Sequence, residues 1–432
     1  MALGAVRADS WLGAVRSGHW AGKPYGPPLS PLAMITQNAL LDRIDAKTML
    51  DQTLDWASVN SGTANLEGLA VMADKLSSAF SVLPGEVELV EPAPVSAISA
   101  DGTEFEKPHG RHLVLRVRPE AARRVVLTGH MDTVYPVDHP FQENSWLDDE
   151  TVNGPGTADM KGGLCVILHA LRAFEASGNA DRLGYDVMIN SDEETGSLAS
   201  RPLIEKLAQG KYAALTYEPS ARPDGTLAHA RGGTGNYSIT LRGRSAHAGR
   251  NPQDGRNAIV AASDLVMRIV DLAKDDITIN PAKIEGGAAN NVVPDLAILR
   301  FNIRPKSTDA MERFDGELAP ILAAIEAKHE IAIHRHGGVT RPPKPVDDRA
   351  QKLFDLVKTC GAELGQTIGW QPTGGVCDGN NIASCGVPVV DTMGVRGGAI
   401  HSPDEYMIVP SLAERAALSA LVLEKLANGD PL

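Results

Sequence analysis

Two short polar stretches hold the residue types that metal-assisted hydrolysis needs. They are Thr128-Gly-His-Met-Asp-Thr-Val-Tyr-Pro136 and Gly154-Pro-Gly-Thr-Ala-Asp-Met-Lys-Gly-Gly163. His130 and Asp132 are two apart, so on an extended chain their side chains share a face. A ligating His commonly hands its other ring N–H to a carboxylate. Asp132 could do this for His130, or it could orient a base nearby. Asp159 comes from the glycine-rich second stretch. Further on, Ser191-Asp-Glu-Glu-Thr-Gly196 brings Glu193 and Glu194, Tyr217 is followed by Glu218, and Gly397-Gly-Ala-Ile-His-Ser-Pro-Asp-Glu405 puts His401 in a loop. His nitrogens and carboxylate oxygens suit Zn²⁺, and a catalytic zinc keeps one position open for water. Two Zn²⁺ against Asp159, Glu194 and Glu218 leave a single positive charge. One hydroxide brings the sum to zero, which a buried site tolerates best. In a turn, Glu193 and Glu194 can both enter one cavity. One can then bind metal while the other takes a proton from water that the ions have acidified.

These residues need elements to bring them together. Arg123-Arg-Val-Val-Leu-Thr128 is a β-branched apolar run that reads as a buried strand. His130 therefore stands at a strand's carboxyl end, where open α/β sheets bind ligands. Strands are expected at 86–90, 112–117, 185–190 and 212–217, with helices at 163–174 and 199–208. That alternation implies βαβ units. Ala221-Arg-Pro-Asp-Gly225 reads as a turn-forming linker. Beyond it the order changes to strand 236–241, helix 255–273, strand 277–284, strand 296–303, helix 308–328 and strand 331–334. This is the ferredoxin-like β-α-β-β-α-β order. A second linker is expected at 337–345, followed by helix 348–364, strand 388–392 and helix 411–427. The expected fold is α/β, a largely parallel sheet flanked by helices, interrupted by an inserted ferredoxin-like α+β domain. The expected boundaries are an N-terminal extension at 1–33, a metal-binding domain at 34–225 and 339–432, and the inserted domain at 226–338.

Composition narrows the function classes. In 432 residues the chain is 43% hydrophobic and 22% charged, normal for a globular protein, and only 4% aromatic, so its core must be aliphatic. A formal charge of -13 argues against non-specific nucleic-acid binding and gives a membrane no polybasic face. Cys165, Cys360, Cys377 and Cys385 show no Cys-x-x-Cys spacing and are too few for a disulfide framework. No window approaches 18 uncharged apolar residues, and residues 1–33 lack the apolar block of a secretory signal. The expected location is the cytoplasm.

Taken in order, Gly129-His-Met-Asp-Thr-Val134, the Gly154–Gly163 stretch, Asp192-Glu-Glu-Thr-Gly196, Glu218-Pro219, Gly243-Arg-Ser-Ala-His-Ala248 and His401-Ser402 resemble one family. It is the co-catalytic zinc peptidase family that includes glutamate carboxypeptidases, aminoacylases, acetylornithine deacetylase and succinyl-diaminopimelate desuccinylase. The resemblance implies a hydrolase with two zinc ions, or cobalt or manganese in their place, acting on N-acyl amino acids or C-terminal peptide bonds. Asp159 would bridge the ions, with His130 and Glu218 completing one site and Glu194 and His401 the other. Glu193 would be the general base and then the acid, Asp132 would orient His130, and the peptide bond after Asp159 would be cis. The inserted domain would be a lid and dimerisation domain, making the protein a homodimer. Its His247 would reach the partner subunit's site and stabilise the oxyanion, and Arg304 would grip the substrate's α-carboxylate. Asn291 would lie near that carboxylate or the oxyanion.

The stretch Gly374-Gly-Val-Cys-Asp-Gly-Asn-Asn381 matches the family's substrate loop loosely, so Cys377, Asp378 and Asn380 are expected to shape the specificity pocket. Cys377 has no His–Asn pair to make it a nucleophile. Two other readings stay open: an aminopeptidase or dipeptidase with the same metals, and a metal-stabilised binding protein without activity.

Overall fold

Residue patterning decides which strands can lie at the centre. The computed structural model describes residues 42–432; the expected extension at 1–33 lies outside them. Helices α1 (Ala46–Ala57) and α2 (Leu66–Phe80) lead into β1 (Glu86–Val90), β2 (His112–Val117) and β3 (Arg124–His130). Then α3 (Gly162–Glu175), β4 (Gly184–Asn190), α4 (Arg201–Ala208) and β5 (Ala213–Thr216) alternate. The inserted unit is β6 (Thr234–Arg242), α5 (Ala258–Val270), β7 (Ile277–Gly286), β8 (Leu296–Pro305), α6 (Thr308–His329) and β9 (Ala332–Arg341). The chain returns through α7 (Asp348–Glu363), α8 (Asp378–Ser384), β10 (Val389–Val390) and α9 (Ser411–Asn428).

The central sheet runs β1-β2-β4-β3-β5-β10. Its last four strands are parallel, and β2 opposes both neighbours. Along β3, Val125 and Leu127 join the core beneath α3 and α9, while Val126 joins a second core with Met188, Ile204 and Ala214. Both faces are covered, which is why β3 reads as an unbroken apolar run rather than an alternation. This is the expected α/β architecture.

The inserted unit forms an antiparallel sheet in the order β7-β8-β6-β9. It has its own core, built on Ile239, Leu265, Leu299, Phe314 and Leu318. Strand β9 runs further than its sequence suggested. Residues 337–341, expected in a linker, pair with β6 from Gly337↔Tyr237 to Arg341↔Thr234. Gly337 and Gly338 look like turn signals, but β6 offers them ladder partners, and Gly337 sits at φ +84° where only glycine is unstrained.

Two chain crossings join the units. They bridge each other, Arg231 N to Lys344 O at 3.0 Å and the reverse at 2.9 Å. The Asn380 amide staples them by donating to Gly232 O at 2.9 Å and Pro342 O at 2.7 Å. A short hairpin, Ser96–Ile98 with Glu104–Glu106, gives a further contact that its sequence did not reveal. Arg300 Nη2 donates to Ile98 O at 2.7 Å and Arg242 Nη2 to Gly102 O at 2.8 Å.

Near the start of α3, Gly163 allows a close approach. A Cβ there would lie 2.2 Å from Tyr217 O. Gly163→Ala is therefore expected to cost about 1–3 kcal/mol by forcing α3 off the end of β5. Urea unfolding measures it; an unchanged midpoint would contradict this packing.

Candidate metal centre

Three adjacent parallel strands end side by side, and each delivers part of the site. β3 ends in His130, flanked by β4, which runs on to Glu193 and Glu194, and β5, which runs on to Glu218. Asp159 enters from the loop ahead of α3, and the Asp159–Met160 peptide bond is cis, as the resemblance implied. His401 comes from a loop near the C-terminus, its backbone in the left-handed region at φ +62°.

Asp159 stands between the two imidazoles. His130 Nε2 lies 3.1 Å from Asp159 Oδ1 and 3.7 Å from Glu218 Oε2. His401 Nε2 lies 3.3 Å from Asp159 Oδ2 and 3.1 Å from Glu194 Oε2. Bonds of about 2.0–2.2 Å to a tetrahedral zinc put neighbouring ligand atoms about 3.3–3.6 Å apart. The four donor spacings bracket that value, so each of these pairs could share such an ion, and His130, Asp159 and Glu194 each bring one ligand atom within 4.8 Å of the others. Glu193 and Glu218 also bring atoms within 4.8 Å of a His130 ring nitrogen and of each other.

The surroundings fix these donors. His130 Nδ1 lies 2.9 Å from Asp132 O, and a carbonyl can only accept. A proton therefore sits on Nδ1, which leaves Nε2, facing the cluster, as the nitrogen that would bind a metal ion. The Asp132 carboxylate stands further off, at 3.5 Å from Nδ1. It instead accepts Glu193 N at 3.1 Å and Glu194 N at 3.2 Å. Asp132 thus uses its backbone to orient the histidine and its side chain to shape the acidic turn. Glu405 plays a similar part that sequence reasoning missed. Its carboxylate accepts Ala158 N and Asp159 N at 3.0 Å each, and Tyr135 Oη at 2.8 Å. It lay inside the His401 stretch, but nothing marked it as the anchor of the Asp159 loop.

So many buried carboxylates repel one another. Burial pushes Glu193 up to about 7, opposed by the Arg341 cation beside it. Burial and the neighbouring Asp159 charge push Glu194 up to about 8, and the same causes push Glu405 up to about 7. Hydrogen bonds to Asp159 and Glu194 carry His401 up to about 11. Asp159 moves down despite its burial, because His130 and His401 both face it. Divalent cations would relieve this excess of negative charge.

A cavity of about 510 Å³ opens over the cluster, walled further out by Arg231, Val376, Cys377, Ile400 and Tyr406. Asp378 and Asn380, expected in the pocket wall, stand behind it. Asp378 accepts from Asn190 Nδ2 at 2.8 Å, and Asn380 staples the crossings. They sit in and at the start of α8, where helix geometry turns them away from the cavity. Burial holds the Cys377 thiol far above its ordinary range, which suits a wall and not a nucleophile. His247, Asn291 and Arg304 are exposed on the inserted domain, and this chain does not bring them to the cavity. His247 and Asn291 are neighbours, with Ala248 N donating to Asn291 O at 2.9 Å.

Comparison with known proteins bears on the family and the fold. Residues 126–425 match the model of peptidase family M20/M25/M40. The chain is similar to carboxypeptidase G2 of Pseudomonas sp. (strain RS-16), 29% identical over 86% of this chain and 88% of that one. It is also similar to a succinyl-diaminopimelate desuccinylase of Albidiferax ferrireducens, 27% identical over 71% and 81%. The fold is similar to that of aminopeptidase PepT from Bacillus cereus, with TM-score 0.65 at 22% identity over 89% of this chain and 100% of that one. It likewise matches the M20 family metallo-carboxypeptidase Sso-CP2 of Sulfolobus solfataricus, with TM-score 0.65 at 16% identity over 88% and 99%.

Metal-free protein should lose stability as pH rises. Glu193, Glu194 and Glu405 hold protons in the fold up to about 7, 8 and 7, against 4.5 for the ordinary group, so the folded state binds more protons between those limits. His401, raised to about 11, adds stability present below 6.5 that falls away above it. Melting of chelated protein should therefore be lower at about pH 8 than at about pH 5.5, and added zinc should narrow the gap. Equal chelated melting temperatures would contradict the electrostatics.

Proposed function

We propose that this chain, which belongs to peptidase family M20/M25/M40, hydrolyses N-acyl amino acids or C-terminal peptide bonds. It is a metal-dependent hydrolase of amide bonds. The division of the two Asp159 oxygens between His130 and His401 supports this proposal, because two ligand sets sharing one carboxylate suit a paired-ion site. Asp159, His130 and Glu218 would hold one zinc, and Asp159, Glu194 and His401 the other. When bound, the ions polarise the amide carbonyl and bring the pKa of water toward neutrality.

The chain's own groups then do the rest. Glu193 takes the proton of the attacking water and delivers it to the leaving nitrogen, a task suited to a carboxylate raised to about 7. His247 Nδ1 accepts Gly249 N at 3.1 Å and Arg250 N at 3.2 Å. Its proton must then sit on Nε2, where it would donate to an oxyanion in a second copy. A homodimer is supported by the exposed stripe of Val260, Met267 and Val270 on α5, beside the edge strand β7. Arg304, exposed with Nε on Asn302 at 2.9 Å, would grip the substrate carboxylate, with Asn291 nearby.

Glu193→Ala should lower kcat by about 100-fold or more with metal content unchanged. Near-normal turnover would end its role as base. A panel of N-acyl amino acids beside dipeptides with a free amine tests the substrate class; preference for the free amine would favour an aminopeptidase. Mixing Glu193→Ala with His247→Ala protein should restore about one quarter of wild-type activity, since half the dimers are mixed and each of those has one intact site. No recovery would place His247 outside the partner's site.

A further inference from the structure

Arg341 ends β9, yet its side chain leaves the inserted domain and reaches Glu193, one of the residues that line the cavity. Its Nη2 donates to Glu193 Oε1 at 2.6 Å, to the Glu193 main-chain oxygen at 2.8 Å and to Ser197 Oγ at 2.8 Å. Asp378 Oδ1 stands 3.6 Å away, and Ser197 Oγ donates to that same oxygen. The two side chains are 6% and 9% exposed. Burial turns such a pair into a constraint, because parting it would leave two uncompensated charges away from water.

The contacts fall on both the carboxylate and the carbonyl of one residue. They fix the side chain and the backbone of Glu193 together. A proton acceptor needs one free oxygen, and holding Oε1 leaves Oε2 for the proton. We propose that Arg341 is a positioning residue for the general base, setting where the Glu193 carboxylate lies and tying it to the strand that carries the inserted domain. This rests on Glu193 being the base. The sequence neighbours of Arg341, Thr340 and Pro342, mark no motif, and by sequence the position reads as linker.

The test compares Arg341→Ala, Arg341→Lys, Glu193→Gln and the double variant Glu193→Gln/Arg341→Ala, each with metal content and melting temperature, on an N-acyl amino acid that the wild type cleaves. Arg341→Ala should lower kcat by about 10- to 100-fold while KM moves less than about threefold and metal content holds. Arg341→Lys should fall between, and millimolar guanidinium should raise the rate of Arg341→Ala but not of the wild type. In the Glu193→Gln background, removing Arg341 should cost less than about twofold, because the group it positions is gone. A rise in KM with kcat intact would make Arg341 a substrate-gripping residue and overturn the proposal. So would an additive loss in the double variant, or loss of metal as the whole effect. If Arg341→Ala does not fold, the same kcat and KM comparison on Arg341→Lys decides. Glu193→Gln at wild-type rate would defeat the base assignment itself, whereas an inactive Glu193→Gln beside a normal Arg341→Ala would defeat this proposal alone.

Discussion

A carboxylate has two oxygens, and here each faces a different imidazole. That single arrangement at Asp159 sets the demands on the rest of the molecule. His130 and His401 must approach from opposite sides, though they lie far apart in the chain. Three neighbouring parallel strands must stop at the same level so that Glu218, His130 and the acidic turn meet. The parallel sheet achieves this by burying both faces of β3, which fixes its register and so the height of His130. The sheet, α3 and the C-terminal return are the means by which a few side chains share one small volume.

The fold stabilises the loops around this charge with more charge. Asp132 and Glu405 are both almost fully buried, and both take backbone N–H groups from the loops that carry the candidate ligands. An acceptor-only carboxylate suits that task, since several amides can point at it without competing. The cost is crowding of negative groups, seen in the raised positions of Glu193, Glu194 and Glu405. A site built this way is strained in water alone and matched to cations.

Much of this was legible in the residues. The His130, Asp159, Glu193, Glu194, Glu218 and His401 stretches are local patterns at strand ends and glycine-rich loops, and such patterns survive without coordinates. The β-α-β-β-α-β order of the inserted unit was equally visible in its periodicity. What stayed hidden were single polar residues whose partners are distant in sequence. Glu405 meets residues near 158, Arg341 meets Glu193, and Asn380 meets Gly232. No period or spacing encodes such contacts. Strand β9 was cut short for a related reason: its glycines resemble a turn until β6 supplies a ladder. Asp132 was legible as an orienting residue, but the division of its work between backbone and carboxylate was not.

The 96–106 hairpin gives the molecule a mechanical property. The two covalent crossings lie side by side and are bridged, so together they act as one pivot. The hairpin grips the inserted sheet well away from that pivot, through Arg300 and Arg242. Any swing about the pivot must first part this catch. Hydrogen bonds from charged groups are worth about 1.5–3 kcal/mol each at most, less where water reaches them. Any form without these bonds would be scarcer by their free energy, and a ligand that needed it would bind more weakly in proportion to that scarcity. Softening the catch would therefore tune affinity from a distance, without altering any atom that faces the ligand.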